Sequence, residues 1–262
     1  MKIIVCMKQV PATSQVEIDP DTGAMKRLSA NTRTNPFDLF ALETALQLRE
    51  QVGGTVTVLT MGPPSAEVMM KDAFTMGADE AVILSDRIFA GADVLATSYT
   101  LAQGISVLGG ADLILCGRQT TDGDTAQVGP AIAEHLGLPH CAWVSEIIAA
   151  TEEKITLKQE LGSVTQVSEM HYPCLVTVDK DMCVPRLPSY RLKKATADKK
   201  PRVLTYEDLP DRRQDRYGLA GSPTQVARMF PPPTADSRVF FSGTAAEQAQ
   251  QLAATLKAKK II

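Results

Sequence analysis

Four strand-length apolar runs, "KIIVCM", "TVTVLTM", "EAVILS" and "ADLILCG", alternate with segments of helical spacing in the first half of the chain. Each is short, almost continuously apolar and rich in β-branched residues, as strands buried on both faces of a parallel sheet must be. The alternation predicts an α/β fold: an open, mostly parallel sheet with helices on both faces and right-handed crossovers. The clearest helix opens at Asn35-Pro36, with Asn35 as N-cap, Pro36 at the first helical position and Asp38 near the positive helix end. Leu39, Leu42 and Leu46 share one face, and Gly53-Gly54 stops the helix. A second helix is expected after "GPPS" and a third from about Asp93 to Val107.

The pattern changes after residue 145. "KITLKQEL" and "SVTQVSEM" flank Gly162-Ser163 as a β-hairpin would, near 154–170, and "PCLVTVDK" reads as another buried strand. From Pro185 the chain turns basic and Pro-rich, giving a loop near 183–195. The α/β domain is therefore expected over residues 1–199. Residues 200–262, with "FPPPTADS" at 230–237, have too little apolar periodicity for a second core. They are expected to form an extended arm lying against something else, ending in the helix "TAAEQAQQLAATLKAKKII".

A chain of 262 residues with net charge −3 can bury a full core but lacks the basic face of a general nucleic-acid binder. The cysteines at 6, 116, 141, 174 and 183 are widely spaced, which suits a reducing compartment and gives no zinc motif. The longest apolar runs are strand-length, so no membrane insertion is expected. "MKIIVCMKQV" reads as a strand rather than a signal peptide. A cytoplasmic location is the expectation.

Ligands of open α/β sheets bind beyond the carboxyl ends of the strands. Cys6 with Met7 and Lys8, the helix start at Asn35, Met61-Gly62-Pro63 and the loop after Cys116 would converge there. In that loop Gly117 permits a sharp turn, and Thr125 or Asp124 would cap a helix starting near Ala126. Pro130 is tolerated in its first turn, and Val128, Ile132 and Leu136 make its buried face. Free N–H groups of that first turn would face a phosphate. Neither G-x-x-x-x-G-K-[ST] nor a G-x-G-x-x-G after a strand is present. Two readings stay open for Asp122 and Asp124. They cap a helix in a solvated loop, or they accept ribose hydroxyls and backbone N–H groups while Arg118 and the helix end meet a pyrophosphate.

The segments "KIIVCMKQVP", "NPFDLFALETALQL", "VLTMGPP", "GADEAVILSDR", "GRQTTDGDTAQVGP", "YPCLVTV" and "AGSPTQV" occur in this order. Through them the chain resembles the beta subunit of electron transfer flavoproteins over nearly its whole length. The resemblance implies a Rossmann-like, adenine-nucleotide-binding domain. It places Cys6, Asn35, Pro36, Phe37, Asp38 and Met61 at the nucleotide. Gly117, Arg118, Gln119, Thr120, Thr121, Asp122, Gly123, Asp124, Thr125, Ala126, Gln127 and Val128 would wrap the ribose and diphosphate. Members holding only structural AMP tend to be bulkier and more acidic in the middle of this loop. The run Asp122 to Gln127 here resembles the branch that binds a second FAD and bifurcates electrons.

That branch implies NADH as electron donor and ferredoxin or flavodoxin as low-potential acceptor. The other electron passes to an FAD carried mainly by the alpha subunit of a heterodimer, and on to a client flavin dehydrogenase. The client is expected to be an acyl-CoA dehydrogenase or a flavin-dependent hydroxy-acid dehydrogenase, and no nucleophile or general base is required. The alternatives are a non-bifurcating subunit with AMP and a stand-alone, stress-type ATP- or AMP-binding module, against which the C-terminal arm speaks. On composition "CVPRLPSYRLKK" is a solvated basic loop. In the family the equivalent loop anchors the client through one apolar side chain, and Leu187, ringed by Arg186, Arg191 and Lys193, matches that anchor. His135, His140 and His171 make no metal cluster, and Cys116, Cys174 and Trp143 are expected to serve packing.

Overall fold

The four apolar runs form parallel strands at the centre of one sheet. The structure is a computed structural model describing residues 1–12, 17–18, 25–26, 32–180, 182–227 and 238–262. In chain order the strands are β1 (Lys2–Cys6), β2 (Gln9–Pro11), β3 (Glu17–Ile18), β4 (Met25–Lys26), β5 (Thr32–Thr34), β6 (Thr55–Met61), β7 (Glu80–Leu84), β8 (Leu113–Gly117), β9 (His140–Ala150), β10 (Lys154–Leu161), β11 (Val164–His171), β12 (Cys174–Val178) and β13 (Arg202–Leu204). The helices are α1 (Pro36–Val52), α2 (Glu67–Met76), α3 (Val94–Val107), α4 (Val128–Leu136), α5 (Tyr190–Ala195) and α6 (Ala245–Ala258).

The main sheet runs β11-β10-β9-β12-β8-β1-β6-β7-β13. It is parallel from β9 to β13 and continues as the antiparallel ladder β9-β10-β11. Period-two alternation sends Ile3 and Val5 into a core shared with α1 and α2. Ile4 and Cys6 enter the opposite core, shared with α3 and α4. From β1 the chain moves out to β6 and β7, then crosses back through α3 to β8 on the other side of β1. The reversal point, and hence the crevice of such a fold, lies between the carboxyl ends of β1 and β8.

Two features go beyond what the sequence announced. β9 joins the sheet as an eleven-residue strand that no periodicity announced. Its burial is irregular, and its pairing with β12 slips between Val176 and Val178. The first compact unit runs from Met1 to Ala227, past the expected boundary at 199. Leu204 at the end of β13, with Tyr206, Leu209 and Tyr217, is buried in the α3–α4 core, and Tyr217 stacks against Phe89, Tyr99 and Tyr206. The second unit, Arg228–Ile262, contains α6, opened by a reciprocal Thr244–Glu247 capping box. The "FPPPTADS" run lies outside the described residues. No helix among the described residues is long and apolar enough to cross a membrane.

Candidate functional site

Cys6, Met61 and Gly117 end the adjacent strands β1, β6 and β8, so the parallel register brings them to one edge of the sheet. Asn35 does not cap α1 with its side chain. Fully buried, it donates from Nδ2 to the Gln119 carbonyl at 2.9 Å and accepts the Thr121 N–H on Oδ1 at 3.3 Å. It fastens the loop after β8 rather than the helix after β5. Asp38 has a similar bridging role, accepting the Lys8 N–H at 2.7 Å and lying close against Asn35 and the Gly117 backbone. Burial outweighs these contacts and the Lys8 charge, and raises the Asp38 carboxyl to about 7.

Gly117 is required by close approach. A Cβ there would lie 2.4 Å from Asp38 Oδ1 and 2.6 Å from the Phe37 carbonyl carbon. The α1 start and the turn out of β8 are thus in direct contact, which places Pro36, Phe37 and Asp38 beside the loop. Cys6 and Cys116 sit in register on neighbouring strands. The adjoining Cys6 thiol, together with burial, pushes Cys116 well above the ordinary thiol range, so it is no thiolate nucleophile.

The loop itself departs from the expected capping. α4 starts at Val128, two residues beyond Ala126, and Gln127 occupies its N-cap position without a side-chain hydrogen bond. Asp124 and Ala126 hold φ of 53° and 54°, left-handed values that turn the backbone away from helix. Asp124 instead accepts from Gln119 Nε2, and its N–H donates to the Thr120 carbonyl. Asp122 receives Lys8 Nζ on both oxygens at 2.8 Å. Burial pushes Asp122 up, but the hydrogen bond and charge of Lys8 prevail and hold its carboxyl below the ordinary value. Residues 121–125 and Gln127 are exposed, and Gly123 has only Thr120 Oγ1 near its Cβ direction, at 3.5 Å. As expected, Pro130 lies in the first turn of α4 and Ile132 is buried, with Val128 and Leu136 packed at the edge of the core.

Sequence reasoning gave Trp143 a packing role, but it is 39% exposed and lies over Arg118, with the guanidinium carbon 4.2 Å from the ring centroid. Arg118 Nη1 also pairs with Asp179 at 2.9 Å. The only sequence sign was the broken alternation around 142–145, where the β9 pairing slips. Leu187 lies far along the chain on a separate loop and is 86% exposed. That loop is held to α1 by Arg186, whose Nε and Nη2 and backbone N–H bind buried Glu43 at 2.8, 3.0 and 3.0 Å.

An adenine nucleotide fits this set of residues. The Val128 and Gly129 N–H groups have no intrahelical acceptor, no side chain caps them, and an arginine stands at the same strand end. Fold and site therefore define a doubly wound α/β domain with an uncapped helix start at its switch point. The electron transfer flavoprotein domain matches residues 22–209. The chain is 41% identical to the electron transfer flavoprotein subunit beta of Thermoanaerobacterium thermosaccharolyticum, over all of both chains. It is 42% identical to the caffeyl-CoA reductase-Etf complex subunit CarD of Acetobacterium woodii, again over all of both chains. It is also 40% identical to the acryloyl-CoA reductase electron transfer subunit gamma of Anaerotignum propionicum, with both chains fully covered. The chain belongs to the electron transfer flavoprotein family, among its beta subunits.

Proposed function

We propose that this beta subunit holds FAD on the Gly117–Val128 loop and serves a bifurcating heterodimer completed by an alpha subunit. The carrying observation is the loop's shape: an exposed Asp122–Thr125 stretch of small and short side chains, bent by two left-handed residues ahead of an uncapped helix. When bound, FAD would supply the redox chemistry: acceptance of a hydride from NADH and one-electron donation to ferredoxin or flavodoxin and, by way of the alpha-subunit FAD, to a flavin dehydrogenase. The chain's own residues bind and orient. First-turn N–H groups of α4 and Arg118 receive phosphate charge, while Asn35 and Asp38 keep the loop on the sheet edge. Asp122, held by Lys8, remains near enough to the loop surface to accept a ribose hydroxyl.

Leu187 serves as the apolar anchor for the client, flanked by basic side chains that steer an acidic surface. Two relatives carry the names of CoA-thioester reductases, which supports an acyl-CoA dehydrogenase-type client over a hydroxy-acid dehydrogenase. Extraction of cofactors from the co-expressed heterodimer tests the reading. Two FAD and no AMP per heterodimer is the expected result. One FAD with one AMP would reduce this subunit to a structural nucleotide holder, and no nucleotide or alpha subunit would favour a stand-alone module.

A further inference from the structure

Trp143 combines three unusual features. Its φ of 59° places a bulky residue in the left-handed region inside a strand, a conformation that persists only where surrounding structure enforces it. It sits where β9 slips against β12, between Val176 and Val178, and just before a second slip against β10, between Lys158 and Gln159. Such irregularities re-aim side chains next to functional sites. The side chain so re-aimed is half-exposed and presents its indole face to Arg118.

The location is as informative as the strain. The Trp143 N–H donates to Thr177 Oγ1 at 2.9 Å. A Cβ on Gly129, the second residue of α4, would lie 2.5 Å from Thr177 Cγ2. Trp143 and the open first turn of α4 therefore meet at one threonine of β12, with the Arg118 guanidinium held against the Trp143 ring. Asp179 engages only Nη1 of the Arg118 fork. Nε is buried with no partner among the described residues, a cost that asks for an explanation. A flexible arginine would swing to relieve that orphan donor, and the indole face prevents it.

We propose that Trp143 is a positioning residue of the nucleotide site, holding the Arg118 guanidinium beside the α4 first turn so that it meets a phosphate of the bound nucleotide. The inference rests on the reading of the Gly117–Val128 loop as the nucleotide site, and it holds for AMP and FAD alike because both carry a phosphate on adenosine. Trp143 is the only tryptophan of the chain, so its emission reports on the site directly.

The test uses the nucleotide-stripped heterodimer, with AMP and adenosine as probes and a Trp143→Phe heterodimer as the fluorescence blank. Trp143 emission should respond to AMP and not to adenosine. Trp143→Ala should weaken AMP about 5- to 10-fold, the loss expected for one cation–π contact, and leave adenosine unchanged. Trp143→Phe, which keeps an aromatic face, should stay within about 2-fold of the parent for AMP. Arg118→Gln should abolish the sensitivity to Trp143→Ala. Equal weakening of AMP and adenosine would reduce Trp143 to a structural strand residue, and unchanged AMP binding in Trp143→Ala would remove it from the site. Failure of the FAD reading would appear separately, as AMP in the cofactor extract with this phosphate discrimination intact.

Discussion

Arg186→Met should be among the most damaging single substitutions outside the sheet. Glu43 is 3% exposed as a residue, and its carboxylate takes three hydrogen bonds from Arg186 and a fourth from Gln47 Nε2 at 3.0 Å. Burial pushes the Glu43 carboxyl up, yet the Arg186 hydrogen bonds outweigh it and hold the group below the ordinary value of 4.5. Removing one partner of a buried ion pair strands the other, at about 3–5 kcal/mol. Arg186 retains 31% side-chain exposure, so water shares in the pair and the low end of that range, about 3 kcal/mol, is the expectation. The Arg186–Glu50 contact at 2.7 Å adds little, because Glu50 is 54% exposed.

Denaturant unfolding of the parent, both single variants and Glu43→Gln/Arg186→Met should therefore give a coupling of at least about 2 kcal/mol, the double variant regaining most of the loss. The pH dependence gives a second readout. The parent's Glu43 contribution is present above 4.5 and lost as pH falls through its lower folded value. In Arg186→Met only the Gln47 hydrogen bond still opposes burial, the largest influence, so the folded value should rise above the unfolded one and the sign reverse: the variant loses stability as pH rises. A coupling below about 1 kcal/mol, or parallel pH profiles, would refute the reasoning.

Gly117→Ala should cost about 1–3 kcal/mol and lower nucleotide retention, since its Cβ meets backbone and a buried carboxylate rather than a flexible side-chain end; full cofactor content after gel filtration would contradict this. Asp38, raised to about 7 mainly by burial, contributes stability that is present below its ordinary 3.8 and lost as pH rises through about 7. Asp38→Asn should therefore flatten the unfolding profile from about pH 4 to about pH 7, and profiles parallel to the parent's would show that Asp38 does not titrate there. Leu187→Ala should leave cofactor content intact and reduce electron delivery to the client at limiting carrier concentration; unchanged turnover would remove Leu187 from docking. Deleting residues 228–262 should weaken assembly with the alpha subunit while sparing the first compact unit, and a normal heterodimer from the truncated chain would overturn that role.

The strands that sequence revealed are those whose side chains are apolar on both faces, because each residue then carries the same signal. β1, β6, β7 and β8 are of this kind. β9 is half-exposed and irregular, so neither a period of two nor a continuous run survives in "HCAWVSEIIAA". β13 was invisible for another reason. Only Leu204 of its three residues is buried, and its attachment depends on tyrosines at 99, 206 and 217 meeting in space. At the site, local chemistry flagged the right positions and misjudged their work. Asn35 beside a proline reads as a cap, but its partners lie 84 and 86 residues away, beyond any local pattern. Asp124 and Ala126 gave no sign of positive φ, since neither is glycine.

α1 serves two masters. Its first turn braces the turn out of β8 through the close approach of Asp38 to Gly117, and later turns carry the acidic pair, Glu43 and Glu50, that ties down the Leu187 loop. At about 1.5 Å rise per residue, those fittings span about 18 Å of one rod from Asp38 to Glu50. Thermal agitation that tilts the rod moves both fittings together, so the spacing between them is steadier than either position alone.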